Sequence, residues 1–562
     1  MNDPERVWRT AYRHPVPWET HFPPQTMVEL FDQACAEAAA RPLIDFLGRA
    51  YNYAETLDGA NRVASGLKAL GYGPGDRIGL FLPNVPHYVA AYYGILKLGA
   101  TVVNFSPLYT PQELAHQVAD SGTKLLFTLS ATALLPTALE VLDSSGLERL
   151  IVGSVAGALP PTKSLFYRLF RGKEVAKRPD DARITAFSAL IDNDGAYEAP
   201  AIDPDRTIAL IQYTGGTTGT PKGAMLSHQN LSANARQVMG LDPLPGTEDR
   251  IVGVLPLFHV FANTCVLNRT VANRGCIVML PRFHAGQVLS TLDRTAATAL
   301  PGVPTMYQAL LDDPRVGATD FAHLRVCVSG GAPLPAELKA KFEATAGARL
   351  VEGYGLSESS GVVSCNPYEG DGKSGTIGQP IPGTRVRLVD KDDPHRPAPE
   401  GEPGEIVAAG PQIMRGYWNR PDADAKVFVT DAEGTRWLRT GDVGTIDEDG
   451  FIRIVDRLKD MIAVGGFKVF PSQIEAVLYR HPAVKEALVI GLPDTYRGEH
   501  PRAYVTLNDG ATEPPEALTA WLNPQLGKHE RVDEVVIRTA LPKTMVGKLS
   551  RKDLIAEVMA ER

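Results

Sequence analysis

The stretch Gln212–Gly223 reads QYTGGTTGTPKG and is rich in glycine and threonine. An apolar run at residues 208–211 precedes it and predicts a short buried strand. Ser227 follows it and can cap a helix that continues to Met239. Glycines let the backbone approach oxyanions closely, threonine hydroxyls add donors, and Lys222 supplies positive charge. The stretch therefore predicts a phosphate-binding loop between a strand and a helix.

This loop differs from the common nucleotide-triphosphatase loop, in which Gly-Lys is followed by Ser or Thr. Here Lys222 lies between Pro221 and Gly223. A flexible surface loop is the plain alternative. We favour phosphate binding because a Gly and Thr bias, a lysine and a strand-to-helix setting rarely coincide.

Length and charge restrict the classes of function. At 562 residues the chain is too long for one core and predicts about three or four compact units. Its 44% hydrophobic and 22% charged residues are typical of soluble proteins. A formal net charge of −8 argues against a general nucleic-acid binder, which needs a basic face. A single nucleotide site needs only local positive potential and stays open.

The cysteines and the apolar stretches bear on the compartment. Five dispersed cysteines without metal-ligand spacing indicate reduced thiols. The polar residues 1–14 lack the apolar core of a secretion signal. The most apolar stretch, residues 88–105, is interrupted by Lys97 and by glycines, which predicts a buried helix and strand rather than a membrane span. We therefore expect a cytoplasmic protein.

The order of apolar patterns predicts an α/β fold. Strand and helix patterns alternate from residue 26 onward, which indicates mostly parallel sheets with helices on both faces. Residues 375–458 change to short strands separated by turns, typical of an antiparallel sheet or barrel. Residues 1–30, rich in proline and aromatics, are expected to form an extended arm. We predict a large N-terminal domain, residues 1–457, of doubly wound α/β subdomains plus a small β-barrel or sheet subdomain.

The composition changes again near Arg457–Asp460, which we interpret as a joint. Residues 458–562 are predicted to form a separate small α+β domain. Its first helix is expected to carry a capping box made by Ser472 and Glu475.

One segment departs from this organisation. Residues 163–178 read KSLFYRLFRGKEVAKR, and six basic residues against one glutamate give a formal charge of +5. Leu165, Phe166, Leu169 and Phe170 lie close to one helical face. Such a segment can lie on an anionic lipid surface, so peripheral contact with the inner face of a membrane is one hypothesis. The other is a solvated helix packed on its own domain.

Several motifs in fixed order resemble the AMP-forming adenylating enzymes, a superfamily of acyl-CoA synthetases, firefly luciferases and peptide-synthetase adenylation domains. The resemblance covers roughly residues 30–555 and is far more specific than any single match. Within the superfamily the chain is most similar to bacterial long-chain fatty acyl-CoA ligases. The phrases that carry this likeness are IQYTGGTTG, LPLFHVFA, EGYGLSES, VSCNPY, GYWNRPDA and IVDRLKDMI.

The resemblance implies a role for each matching residue. ATP phosphates would be wrapped by Thr214, Gly215, Gly216, Thr217, Thr218, Gly219 and Lys222. Adenine would lie against Gly330, Gly331, Ala332, Tyr354 and Gly355. Ser357 stands where the family usually has threonine and would touch phosphate, while Asp442, helped by Arg457, would bind the ribose hydroxyls. The implied catalytic set is Lys548, Thr217, Glu358 and His259.

Three of these assignments have particular content. Glu358 would bind Mg²⁺. Lys548 matches a mobile lysine that bridges the substrate carboxylate and the α-phosphate. His259 is either a general base or, more often for such a position, a packed histidine that lines the acyl site.

The family also rotates a mobile C-terminal domain between two half-reactions. Lys459 matches its hinge, and Gly466 and Lys468 match residues that line a pantetheine channel. Phe467 stands where some relatives have histidine, so the thiol contacts that the resemblance implies are less secure here. A two-state hinge is a physical way to give one site two arrangements.

The implied activity is ATP- and Mg²⁺-dependent ligation of a medium- or long-chain fatty acid to coenzyme A. An aryl- or dicarboxylate-CoA ligase, an enzyme using another acceptor for acyl-AMP, and a catalytically silent acyl-nucleotide binding module are the alternatives. Residues 355–359, GLSES, nearly spell a hydrolase nucleophile elbow, but the final glycine is missing.

Overall fold

The structure is a computed structural model that describes residues 4–214, 221–242, 244, 246–464, 467–494, 496–544 and 548–561, without the side chains at positions 4, 6, 168, 467 and 468. Within these ranges the strands form four sheets. The α-helices span Pro4–Ala11, Met27–Glu37, Tyr53–Ala69, Pro86–Lys97, Pro111–Ser121, Leu135–Ser144, Val155–Ala158, Pro161–Phe170, Phe187–Leu190, His228–Met239, Val260–Ala262, Arg269–Asn273, Ala285–Thr295, Pro304–Asp312, Ala336–Ala346, Pro421–Val427, Pro471–Leu478, Pro515–Leu522 and Arg551–Ala560. The 3₁₀ helices span Gly172–Glu174, Val316–Ala318, Ser357–Ser359 and Asn523–Gln525, and a π-helix spans Asn263–Asn268.

The first sheet is doubly wound and mostly parallel. Its strands lie in the order Gly416–Tyr417, Lys222–Ser227, Ile208–Thr214, Thr101–Asn104, Arg77–Leu80, Leu125–Leu129, Arg149–Gly153 and Ile184–Ala186. Neighbours from 208–214 onward are parallel. The chain winds from strand 77–80 first to one side and then to the other, which is the topology that binds ligands at strand carboxyl ends. The helix and strand predicted within residues 88–105 are confirmed.

The second sheet repeats this winding. Its strands lie in the order Gln379–Pro380, Ser364–Cys365, Arg349–Tyr354, Val326–Gly330, Ala299–Gly302, Arg250–Gly253, Cys276–Met279, Pro42–Phe46 and Arg49–Asn52. The six strands from 349–354 to 42–46 are parallel, and antiparallel pairs close both edges. Gly330 pairs with Gly353, so two strands end side by side at one edge.

The third sheet is antiparallel, as the change of pattern predicts. Its strands are Arg385–Val389, Gly404–Ala409, Arg436–Ile446 and Phe428–Thr430 in that order, with Ile452–Arg457 beside 436–446. The N-terminal segment crosses it and is fixed by tryptophans: the indole N–H groups of Trp8 and Trp18 donate to the carbonyls of Gly450 and Thr384. The expectation of an extended arm is wrong for Pro4–Ala11, which is helical because Trp8 can then be fully buried.

The fourth sheet belongs to the C-terminal part and, with its helices, confirms the small α+β unit. Its strands are Phe467–Val469, Ile462–Val464, Gly498–Leu507 and Val484–Asp494 in that order, with Val535–Ile537 parallel to 498–507. The helices that accompany it begin at Pro471, Pro515 and Arg551.

The predicted capping box is wrong. The helix begins at Pro471, so Ser472 lies in its first turn, and the structure records no side-chain cap. Instead the Ser472 hydroxyl donates to the Val455 carbonyl at 2.5 Å. Glu475 is partly buried and accepts from Arg551 at 2.7 Å. Tertiary partners therefore outcompete the local cap, which a sequence pattern cannot show.

Candidate active site

Two paired strands flank the glycine- and threonine-rich stretch. Strand Ile208–Thr214 pairs antiparallel with Lys222–Ser227, and Thr214 faces Lys222 where the pairing ends. The predicted direct passage from strand to helix is wrong, because residues 222–227 form a second strand first. The cap is nevertheless confirmed: Ser227 accepts from the N–H of Asn230 at the start of the helix. Thr214 and Lys222 therefore lie side by side at the end of this strand pair.

The loop itself lies outside the described residues. These positions are Gly215, Gly216, Thr217, Thr218 and Gly219. Their phosphate contacts, and the catalytic assignment of Thr217, stay predictions that rest on the flanking residues Thr214 and Lys222.

The residues expected at adenine lie at neighbouring strand ends of the second sheet. Gly331 follows strand 326–330 in the left-handed region, with φ +81°, where side chains are strained. Tyr354 ends the adjacent strand, and Ala332 continues the loop after Gly331. A Cβ at Gly355 would lie 2.0 Å from the Gly361 carbonyl oxygen, so only glycine fits there. The chain thus keeps its backbone bare at this edge, which suits a flat ring.

Tyr354 and Arg457 both contact the carboxylate of Asp442. The Tyr354 hydroxyl donates to Asp442 Oδ2 at 2.5 Å, and Arg457 Nε lies 3.0 Å from Asp442 Oδ1. Asp442 and Arg457 are register partners on antiparallel strands, which fixes the ion pair. Burial raises the pKa of Tyr354, and the nearby Asp442 carboxylate raises it further. Tyr354 therefore stays a neutral donor, and each oxygen of the buried Asp442 carboxylate has a partner, as buried polar groups require.

Glu358 lies on the short helix Ser357–Ser359, after the same strand end. Its Oε1 accepts from the Tyr417 hydroxyl at 2.7 Å. The Lys222 Nζ lies 5.2 Å from the centroid of the Tyr417 ring. The structure thus connects the two ionic residues that were predicted to meet the triphosphate through one tyrosine.

Lys548 reaches this crevice from the C-terminal part of the chain. A Cβ placed on Gly331 would lie 2.4 Å from Lys548 Cε and 2.8 Å from its Nζ, so the lysine side chain lies directly against that glycine. Burial lowers the pKa of the Lys548 ammonium to about 8, and repulsion by Arg457 adds to the effect while Asp442 opposes it. The lysine therefore meets the ribose-binding candidates at the adenine loop.

The hydrogen bond and the burial of His259 bear on its two expected roles. Its Nδ1 accepts from the Phe261 N–H at 3.3 Å, so the neutral ring carries its proton on Nε2. Burial, and then the Lys548 ammonium, lower the pKa of His259 to about 3. A neutral imidazole with Nε2–H is a hydrogen-bond donor, which favours the packed-histidine interpretation.

The hinge and channel candidates are described only in part. Burial lowers the pKa of Lys459, and the Arg457 guanidinium adds to this. Gly466 lies outside the described residues, and Lys468 is described by its backbone, which pairs with Ala463 in the fourth sheet. The pantetheine roles of both residues stay predictions.

Sequence reasoning missed two side chains at the site. Tyr417 stands in the phrase GYWNRPDA and Glu352 in EGYGLSES, so both motifs carried the signal but no role was assigned. Glu352 accepts from the Leu334 N–H at 3.3 Å, and burial raises the pKa of its carboxyl to about 8. Both were overlooked because their contacts are made across separate strands.

Two doubly wound sheets have glycines at or next to their strand ends, and a lysine from the C-terminal part of the chain reaches one of these ends. Together these features define a nucleotide-binding α/β enzyme. The AMP-binding enzyme family model matches residues 31–418, and the AMP-binding enzyme C-terminal domain model matches residues 473–548. The chain belongs to the AMP-binding enzyme family.

Individual relatives extend this result over nearly the whole chain. The chain is 38% identical over 558 residues to a long-chain-fatty-acid–CoA ligase of Bacillus subtilis (strain 168), covering 98% of each. A ligase of the same name from Escherichia coli O6:H1 is 38% identical over 564 residues, also covering 98% of each. ATP-bound MatB from Rhodopseudomonas palustris is similar with a TM-score of 0.82 and 29% identity, over 95% of this chain and 99% of that one.

Proposed function

We propose that this chain ligates a medium- or long-chain fatty acid to coenzyme A, using ATP and an acyl-AMP intermediate and releasing AMP and pyrophosphate. The observation that carries the proposal is Lys548 lying against Gly331, at the strand ends that carry Tyr354 and Glu358. The similar proteins from B. subtilis and E. coli are named for this ligation, and the similar MatB structure holds ATP.

The first step needs charge suppression more than covalent chemistry. A fatty-acid carboxylate oxygen attacks the α-phosphorus, forming the acyl-AMP bond while the bond to pyrophosphate breaks. Both reactants are anions, so preorganised positive charge and N–H donors lower the barrier. We assign Lys222 and the 214–222 loop to the β- and γ-phosphates. Lys548 bridges the carboxylate and the α-phosphate, and the Ser357 hydroxyl donates to phosphate.

The nucleoside is held by groups that are already fixed. Adenine stacks on Tyr354 and lies along Gly330, Gly331 and Ala332. Tyr354 and Arg457 each occupy one oxygen of Asp442, which orients the carboxylate and leaves lone pairs for the ribose hydroxyls. The Asp442 carboxylate is therefore already oriented before the ribose binds.

The residues present fit a magnesium ion that arrives with ATP. Among the described residues no group of three His, Cys, Asp or Glu side chains could hold a metal by itself. Mg²⁺ is usually bound by one or two carboxylates together with substrate phosphates. Glu358 offers one carboxylate oxygen beyond the one that accepts from Tyr417. When bound, the ion would neutralise phosphate charge, and the protein's part is to keep the Glu358 carboxylate aimed at it.

Thioester formation uses a second arrangement of the same chain. We infer an adenylating domain of residues 1–457 and a mobile domain of residues 458–562 that turns about Lys459. Rotation would withdraw Lys548 and bring Gly466 and Lys468 to the pantetheine arm. The coenzyme A thiol then attacks the acyl carbonyl, the bond to AMP breaks, and the thiol proton leaves to solvent.

A panel of acids tests the substrate class. Released AMP and consumed coenzyme A are measured with acids from octanoate to stearate, and with benzoate and malonate as representatives of the competing classes. We expect kcat/KM to rise about fourfold per added methylene until the pocket is filled, since each buried methylene contributes about 0.8 kcal/mol. Preference for benzoate or malonate, or AMP release without coenzyme A consumption, would reject the proposal in favour of one of the alternatives.

A second proposal concerns the basic segment, residues 163–178, as a contact with an anionic lipid surface. The specific observation is an apolar helical face without cover: Leu165, Phe166, Leu169 and Phe170 are 59%, 63%, 66% and 74% exposed. Phe166 and Phe170 stack on each other with centroids 5.7 Å apart, so they present one patch. An apolar patch with basic neighbours is the pattern of helices that lie in a lipid interface. No helix in the described part of the chain is long and apolar enough to cross a bilayer.

Co-sedimentation with vesicles containing phosphatidylglycerol tests this contact. Phe166→Ser with Phe170→Ser should lower the partition coefficient at least about tenfold, since each buried Phe contributes about 1.5–3 kcal/mol. Charge reversal at Arg168, Arg171 and Lys173 should abolish the preference for anionic over neutral vesicles. Leu108→Ser is the matched control, because Leu108 is 64% exposed but lies outside the segment. Binding unchanged in both test variants would rule the contact out.

A further inference from the structure

Tyr417 touches both ionic residues assigned to the triphosphate, yet no role has been given to it. Its hydroxyl donates to Glu358 Oε1 at 2.7 Å. Its ring lies 5.2 Å from the Lys222 Nζ, within the range of a cation–π contact. Residues 222, 358 and 417 come from three separate stretches, so this meeting is a product of the fold alone.

The backbone holds Tyr417 rigidly. Residues 416–417 pair antiparallel with Met225 and Ala224, which extends the sheet beyond the loop-bearing hairpin. The Tyr417 N–H donates to Asp424 at 2.7 Å, and the residue is only 6% exposed. Tyr417 and the hairpin therefore form one unit, while Glu358 is attached to the second sheet. The hydroxyl is a link between the two sheets at the expected phosphate position.

We propose that Tyr417 is a positioning residue. Its hydroxyl orients the Glu358 carboxylate toward the metal, and its ring positions the Lys222 ammonium for the phosphates. This inference rests on the proposed function, since it assumes that Glu358 meets Mg²⁺. The hydroxyl occupies one carboxylate oxygen, so the other is presented in a fixed direction. The ring face satisfies part of the Lys222 charge without a carboxylate, so the ammonium stays available to phosphate instead of pairing with Glu358. One side chain thus keeps opposite charges apart until ATP and metal arrive.

The experiment measures metal binding rather than turnover. Enzyme-bound Mn²⁺ is titrated by water-proton relaxation in the full chain, with saturating α,β-methylene-ATP and no fatty acid. Tyr417→Phe should weaken Mn²⁺ binding about tenfold, the effect of removing one hydrogen bond to a charged group. Metal-free binding of the same nucleotide should change less than about twofold, because the ring remains. Tyr417→Leu should weaken that metal-free binding as well.

Tyr213→Phe is the matched control. Tyr213 is 5% exposed, and its hydroxyl donates at 2.6 Å to a different carboxylate, that of Asp120. It should lose stability like Tyr417→Phe while Mn²⁺ affinity stays that of the parent. Equal Mn²⁺ affinities in both Phe variants would overturn the role of Tyr417. Glu358→Gln separates the two assumptions: if it too leaves Mn²⁺ binding unchanged, the metal assignment of the proposed function fails as well.

Discussion

The residues that face the crevice come from two regions that are built differently. Tyr354, Asp442 and Arg457 all lie on strands, and they are joined by a hydrogen bond of 2.5 Å from Tyr354 to Asp442 and an ion pair of 3.0 Å between Asp442 and Arg457. Lys548 itself belongs to none of the strands or helices that the structure describes, and its N–H donates to the Thr544 hydroxyl at 3.2 Å.

The difference separates binding from reaction. Fixed groups stabilise charge without reorganisation during the reaction. A group on a separate unit can be withdrawn without breaking the pairing of the first three sheets. The fixed region, defined as Tyr354, Asp442 and Arg457, should therefore serve both half-reactions, while Lys548 should serve only the first.

Removing the Lys548 amine should have the largest effect on the difference between the two half-reactions. Lys548→Ala should lower acyl-AMP formation by about 10²–10³, the usual cost of losing one transition-state charge contact. Thioester formation from supplied acyl-AMP should remain near that of the parent. Acid-dependent pyrophosphate exchange and coenzyme A consumption measure the two steps separately.

The control for this variant lies on the same segment. Lys543 pairs with Glu486 at 2.6 Å and makes no recorded contact with Gly331 among the described residues. Lys543→Ala should leave both half-reactions near the parent. Equal losses of both steps in Lys548→Ala would show that the lysine is not specific to one arrangement.

A change in the fixed region should instead affect both steps. Asp442→Asn weakens the pair with Arg457 and the expected ribose contact, each a hydrogen bond to a charged group. The KM for ATP should rise about 10–100-fold, and thioester formation from supplied acyl-AMP should weaken to a similar extent. Steady-state kinetics of each half-reaction are the measurement.

The chain offers a close control for Asp442. Asp120 also accepts from a tyrosine hydroxyl, that of Tyr213, and pairs with an arginine, Arg420. Asp120→Asn should lower the melting temperature by a comparable amount without changing the KM for ATP. A change in KM in both variants would point to general loosening instead of ribose binding.

The same contrast explains how much could be predicted from the sequence. Strands and helices that depend on local patterns were predicted well: the strand before the loop, the Ser227 cap, and the antiparallel region after residue 375. The glycines expected at adenine were assigned from contiguous motifs, and their role stays a prediction. The domain boundary and the individual site roles stay predictions.

Most of the predictions that failed concern residues whose contacts lie far along the chain. Ser472 and Glu475 have the spacing of a capping box, but they contact the Val455 carbonyl and Arg551 instead, which lie too far away in sequence for a local pattern to include. Tyr417 was overlooked for the same reason, because its value comes from Glu358, 59 positions away. The second strand of the hairpin was missed because KGAMLS lacks a clean alternation of apolar and polar residues.

A methyl group on the adenine loop should sharpen the contrast between the regions. Gly331→Ala places a Cβ 2.4 Å from Lys548 Cε, which is too close for two carbon atoms, so the lysine must shift for the C-terminal unit to pack in the same position. Acyl-AMP formation should fall about tenfold more than thioester formation, since a displacement of this size disturbs an aligned group. Rapid-quench measurement of each step gives the ratio.

Gly347→Ala controls for backbone strain. Gly347 has φ +64°, also in the left-handed region, but a Cβ there meets nothing within 4 Å. It should lose stability and keep the ratio of the two rates. A ratio that changes equally in both variants would assign the effect to strain.

The smallest expected effect is a proton taken up when ATP binds. The docked Lys548 has a pKa of about 8, lowered mainly by burial, whereas an exposed lysine titrates near 10.4. Below pH 8 the ammonium is charged both docked and undocked, so docking bears the full desolvation cost; that cost falls as pH rises through 8 toward 10.4. Docking without nucleotide should therefore strengthen over this window.

Bound triphosphate adds negative charge beside the ammonium and should raise its pKa well above 8. ATP binding should then take up about half a proton at pH 8, and progressively less toward pH 7. Calorimetry in buffers of different ionisation enthalpy measures this uptake. Lys548→Ala should remove it, whereas Glu352→Gln, which removes the other buried group that titrates near pH 8, should not. Proton uptake that survives in Lys548→Ala and disappears in Glu352→Gln would assign the proton to the Glu352 carboxyl and not to the Lys548 amine.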